Sequence, residues 1–147
     1  MKRFHFPLDR VLRFRQLQAE AEEARLQAHL TRLKQVDERI AQLEREGSRT
    51  EEGVRQSLAA NREVMPGVLN TYPAYRLVLA RGKRAILEDR RRVAEEVERQ
   101  RKAVIEARRA REILQRAREH ALERWRSDYG KEQDEMASEL FLSKWKR

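Results

Sequence analysis

The chain has 147 residues, 40% of them charged, 39% hydrophobic and 6% aromatic, with no cysteine and a net charge of +9. That length allows one domain at most. The charge far exceeds the roughly 25% of an average soluble domain, which excludes an ordinary compact core, and the missing cysteine excludes a disulfide scaffold and a thiolate metal site. Disorder is the alternative, but Leu, Val, Ile and Ala recur at helical intervals, which disorder does not require.

The opening MKRFHFPLDRVLRFR is broken by charges throughout, so no secretory signal is expected. The longest apolar run, Leu77 to Ala80, is far short of the roughly 20 residues that cross a bilayer. The expectation is a soluble protein that does not span a membrane. Pro7 suits a first helical turn, where its missing N–H costs nothing. From there Leu12, Ala19, Leu26, Leu33 and Ile40 recur every seven residues, with Val36 and Leu43 three residues after the last two. This is a heptad seam, extended at its start by Phe4, Leu8 and Val11. Gly47 and Gly53 weaken the distal end by roughly 1 kcal/mol each.

Met65-Pro66-Gly67 is the one strong breaker, with Asn70 or Thr71 available as N-cap and Pro73 in the first turn of a second helix. The spacing predicts helix 1 over about 7–62, a turn over about 63–71 and helix 2 over about 72–142. The second seam reads Leu79, Lys83, Ile86, Arg90, Val93, Val97, Gln100, Val104, Ala107, Arg111, Leu114, Arg118, Ala121 and Trp125. Polar residues dilute it without disturbing its period. Two long helices joined by a short loop bury such seams by lying antiparallel. The predicted fold is all-α: a single long antiparallel two-helix coiled-coil hairpin, rod-like, with arms of roughly 80 and 105 Å. The second arm outlasts the first, so residues beyond about 130 are expected to project unpaired.

The positive charge is uneven. Residues 1–75 carry +2, residues 76–127 carry +8 and residues 128–147 carry −1. An excess in one arm suits an acidic partner, but Glu95, Glu96, Glu98, Glu106 and Glu112 interleave with its arginines and make the arm equally a solvated, ion-paired face. No catalytic constellation is present. His5, His29 and His120 are scattered without metal-ligand spacing, there is no phosphate-binding glycine loop, and a two-helix rod offers no deep pocket in which pKa values could be tuned. The expectation is a protein that is not an enzyme and holds no cofactor, metal or small-molecule substrate.

The candidate sites lie at the two ends. Phe4, Phe6, Leu8, Val11, Leu12 and Phe14 begin the chain, and Met136, Leu140, Phe141, Leu142 and Trp145 end it. An antiparallel hairpin carries both groups toward one end, where they either pack on each other or form a partner surface. A basic amphipathic N-terminal helix on a membrane is a further option. Near the turn, Tyr72, Tyr75, Leu79 and Ile86 line one side of helix 2, with Ile40 and Leu43 across from them. Tyrosine is a common interface anchor, and Tyr72 and Tyr75 are the residues expected to be exposed.

Phe4-His-Phe-Pro-Leu8-Asp-Arg10-Val-Leu12, the Tyr-x-x-Tyr entry at Tyr72 and Tyr75, and the tail Lys131-Glu-Gln-Asp134-Glu135-Met-Ala137 resemble the FliJ family, the soluble component of the bacterial flagellar type III export apparatus. The resemblance covers the whole chain. It implies a coiled coil similar to the central stalk of rotary ATPases, which promotes ring formation by the export ATPase FliI and contacts the cytoplasmic domain of the export gate component FlhA. It also implies binding to chaperones of late export substrates, and a cytoplasmic protein peripheral to the inner membrane when bound to the apparatus. Carried onto this chain, Phe4, Leu8, Val11, Leu12, Met136 and Leu140 would face the ATPase, and Leu43, Tyr72, Tyr75 and Leu79 the gate. Where relatives carry further aromatic residues after the position of Leu43, this chain has Glu46 and Thr50. The Leu140–Trp145 tail is not a family feature. Two rivals remain at this point: a coiled-coil scaffold that self-associates through its seam, and a nucleic-acid binder using the basic arm, against which nine interleaved acidic residues count.

Overall fold

The computed structural model describes residues 3–60 and 66–145, with side chains described at all of these except 66, 68 and 69. Two α-helices contain nearly all of it: α1, Asp9–Ala59, and α2, Pro66–Trp145. They contact one another as a helical hairpin, and no strand occurs among the described residues. No helix is long and apolar enough to cross a membrane.

The start of α1 follows from local chemistry. The Asp9 amide donates to the Phe6 carbonyl at 3.1 Å and the Leu12 amide to the Leu8 carbonyl at 2.9 Å, closing the first turn around Pro7 and Leu8. Asp9 places a negative charge at the positive end of the helix dipole. At the other end, the Ala60 amide donates to the Gln56 carbonyl at 3.0 Å. The helix ends near Ala59 rather than at about 62, and Gly47 and Gly53 both lie inside it.

The predicted turn over 63–71 requires correction. α2 begins at Pro66, so 66–71 are helical and Pro73 lies inside the helix instead of opening it. Met65-Pro66-Gly67 is a start signal as much as a break: proline at a first helical position has its φ preset and needs no N–H partner. Pro73 follows soon enough that only the bond to the carbonyl of residue 69 is lost. The helix also runs on to Trp145, three residues past the expected end. Residues 61–65, the rest of the expected turn, lie outside the described residues.

The chain divides into two compact units, each containing a stretch of both helices: Met1–Glu23 with Ala103–Arg147, and Ala24–Lys102. In the first unit Phe6, Leu12, Ala19, Val104 and Ala107 are buried. Their register is antiparallel, since Asp9 pairs with Arg118 at 3.7 Å and Glu23 with Arg108 at 2.7 Å. The second unit buries Val93 and Val97. There too the partners run in opposite directions: Arg32 reaches Glu96 and Asp89 at 3.9 Å, Asp37 pairs with Arg90, and Glu44 with Lys83 at 3.0 Å. Of the four charged residues that dilute the α2 seam, Lys83, Arg90 and Arg118 each take an acidic partner from α1, whereas the Arg111 Nε is buried with no hydrogen-bond partner among the described residues. No buried polar or charged residue occurs among the described residues.

Candidate functional site

Within the second unit the two helices leave a cleft of about 490 Å³ whose lining includes Leu43, Tyr72, Tyr75 and Leu79. These are the four residues that the family resemblance singled out for one partner, and the helical hairpin brings them to a single place. Leu79 forms the floor, because Gly47 across from it has no side chain: a Cβ there would lie 2.9 Å from Leu79 Cδ2. The rim is polar. Lys83 Nζ holds Glu44 at 3.0 Å, and the Thr50 and Tyr75 hydroxyls are 3.4 Å apart. The Thr50 hydroxyl also donates to its own helix at the Glu46 carbonyl, 3.0 Å away. Tyr72 is half-buried and Tyr75 is 38% exposed.

The cleft is lined by apolar, aromatic and charged side chains. Its aromatic and leucine surfaces suit an apolar side chain presented by a partner, with the ion-paired rim as a polar border. Gly47, Thr50, Glu44 and Lys83 were not among the expected site residues. A spacing argument could have found Gly47, which occupies the heptad position after Ile40, where a small residue admits a close neighbour.

The candidate residues of the first unit divide. Leu8 and Val11 are 43% and 42% exposed, and Met136 and Leu140 are 62% and 65% exposed. Leu12 is only 6% exposed and belongs to the helix–helix seam, so it is withdrawn as a partner-facing residue. Phe4 is half-buried: its ring centroid lies 6.0 Å from that of Trp125, which stacks on Tyr129 at 5.3 Å, and the Arg118 guanidinium lies 5.9 Å from the Phe4 ring. The two terminal groups therefore do not pack on each other. Phe4, Phe6 and Leu12 pack inward, whereas residues 131–145 of α2 are exposed at every position.

The basic arm is laced with local pairs. Arg91 bonds Glu88 at 2.6 Å and lies 3.9 Å from Glu95, and Arg101 bonds Glu98 at 2.7 Å. The Arg91 hydrogen bond and charge hold the Glu88 carboxyl below its ordinary value, and Arg91 is raised in turn. The Asp37 hydrogen bond and charge raise Arg90. Such pairs lower the net field that a polyanion would feel. Among the described residues no group of three or more His, Asp or Glu could hold a metal ion. No family model, no curated protein and no solved structure matches the chain.

Proposed function

We propose that this chain is a non-enzymatic, stalk-like coiled-coil component of the bacterial flagellar export apparatus, similar to the FliJ family. It binds the export ATPase and promotes its ring, and it links the ATPase to the cytoplasmic domain of the export gate. The observation that carries this reading is the shared cleft of Leu43, Tyr72, Tyr75 and Leu79, the residues that would meet the gate component. Leu8, Val11, Met136 and Leu140, exposed in the first unit, would meet the ATPase, and Phe4 would join them only by leaving Trp125. Export chaperones would be further partners, and the protein would sit at the cytoplasmic face of the inner membrane when bound.

The test is ATP turnover by a purified flagellar export ATPase, titrated with the full chain and with versions lacking residues 1–12 or 131–147. Turnover that rises with the full chain and loses that rise on truncation supports the reading. Unchanged turnover well above micromolar concentrations of folded protein overturns it. On the gate side, Tyr75→Ala is expected to weaken binding to the gate component's cytoplasmic domain about tenfold.

A further inference from the structure

The seam that joins the helices is not the only apolar stripe on α1. Phe14, Leu17 and Ala21 follow one another at spacings of three and four on the side turned away from Leu12 and Ala19, and all three are exposed. Phe14 is 60% and Leu17 65% exposed, the highest values for large apolar side chains on α1. In the sequence the same alternation continues through Ala24 and Ala28. A three-four alternation of apolar residues is what a partner helix requires, and an isolated exposed leucine would not show it.

The residues around the stripe identify the occupant. Arg10 sits at the heptad position before Phe14, and Arg13 and Glu20, seven residues apart, occupy the same flank two turns from each other. A two-fold axis perpendicular to the helix reverses a second copy and brings like flanks together. In the register that sets Phe14 against Leu17 of the second copy, Leu17 meets Phe14 in return and Arg10 lies over Ala21. Arg13 and Glu20 then face one another twice, once on each side of the axis. A parallel copy would instead stack Arg10 on Arg10. Arg13 can turn toward such a partner, since its side chain is 76% exposed and, among the described residues, is held by Asp9 alone at 3.5 Å. Size, polarity and charge are thus complementary to the same surface reversed.

We propose that the outer face of α1 around Phe14 and Leu17 is a self-association surface that takes a second copy of this chain in antiparallel register. It shares no residue with the gate cleft and does not depend on the proposed export function. Three turns of helix bury less than the roughly 1,200 Å² of a standard stable interface, so the dimer is a weak one, formed at tens of micromolar chain.

Sedimentation of the full chain from about 1 to about 300 µM tests this. The expected result is a mass rising toward the dimer, lost in Leu17→Glu while helical content by circular dichroism is unchanged. Arg13→Glu and Glu20→Arg each place like charges opposite one another, and each is expected to weaken self-association about tenfold. Mixing those two variants should restore it, because in the mixed dimer both charge pairs are opposite again. A monomer throughout overturns the proposal. So does self-association that survives Leu17→Glu, which would put the contact elsewhere, and so does a mixture that fails to recover, which would exclude the antiparallel register.

Discussion

Val104 and Ala107 on α2 are 4% and 7% exposed, whereas Met136 and Leu140 on the same helix and in the same unit are 62% and 65% exposed. Val104 and Ala107 are seam positions of α2, whereas Met136 and Leu140 each stand one residue past a seam position, which Glu135 and Glu139 occupy. A second difference is α1, which runs beside the first pair, as the Asp9–Arg118 and Glu23–Arg108 ion pairs mark, and does not reach the second. Period fixes which face of a helix is apolar; the length of the neighbour decides whether that face is covered. One consequence is a sharp contrast in mutational cost. Val104→Asp strands a charge in the seam and should cost about 3 kcal/mol, enough to melt much of the hairpin. Leu140→Asp should change stability by no more than about 0.5 kcal/mol. Urea unfolding followed by circular dichroism separates the two, and equal losses would mean that the 131–145 segment is covered in solution.

Where the covered stretch of α2 gives way to the uncovered one, the Phe4 ring lies 6.0 Å from that of Trp125. Arg118 serves this boundary twice, as the partner of Asp9 and as the cation over Phe4. Arg118→Ala is expected to cost about 1 kcal/mol, the sum of an exposed pair and a modest cation–π contact. It should also shift Trp125 emission to the red as the Phe4 ring loosens, a change best read in a Trp145→Phe background.

Much of this was legible before the structure. Leu12, Ala19, Val93, Val97 and Val104 are heptad positions in the sequence and are buried. Unpaired residues beyond about 130 followed from unequal arm lengths. What escaped has physical causes. Pro66 reads as a breaker because proline stops a helix from its interior, yet the same locked φ starts one. Leu12 was assigned both to the seam and to a partner surface, and only burial distinguishes the two. The Phe14–Leu17–Ala21 stripe has only two large residues against six in the α1 seam, so the longer period masks it. On the candidate site, spacing placed Leu79 and Leu43 near one another, but the cleft depends on a missing side chain at Gly47, and no apolar pattern registers an absence.

Gly47 and Gly53 repeat the contrast between covered and uncovered positions at the scale of one methyl group. A Cβ at Gly53 meets nothing within 4 Å, and one at Gly47 meets Leu79 Cδ2 at 2.9 Å. Gly53→Ala should therefore stabilise the protein by close to the full helix-propensity gain, about 1 kcal/mol. Gly47→Ala should gain less, about 0.5 kcal/mol, because the end of the Leu79 side chain must move aside. Thermal melts rank the two. A Gly47→Ala protein as stable as Gly53→Ala would mean that Leu79 does not rest on α1. Leu79 also lines the cleft, so its displacement should change the shape of the cleft as well.

The smallest effect belongs to the face that no helix covers at all. Glu88 is held by Arg91 on its own helix, and that hydrogen bond lowers its carboxyl below the ordinary value of 4.5. A depressed carboxyl contributes stability that is present above its unfolded value and is lost as pH falls through its folded one, so the contribution is complete at neutral pH and disappears in acid. Solvent screening keeps it slight. Glu88→Gln should lower the melting temperature marginally at pH 7 and progressively less as pH falls through the folded-state value of the carboxyl. The same substitution in 1 M salt should lose most of its remaining effect. A penalty at pH 7 as large as that of Arg118→Ala would mean that this outer face is covered in solution, and by something that recognises the carboxylate.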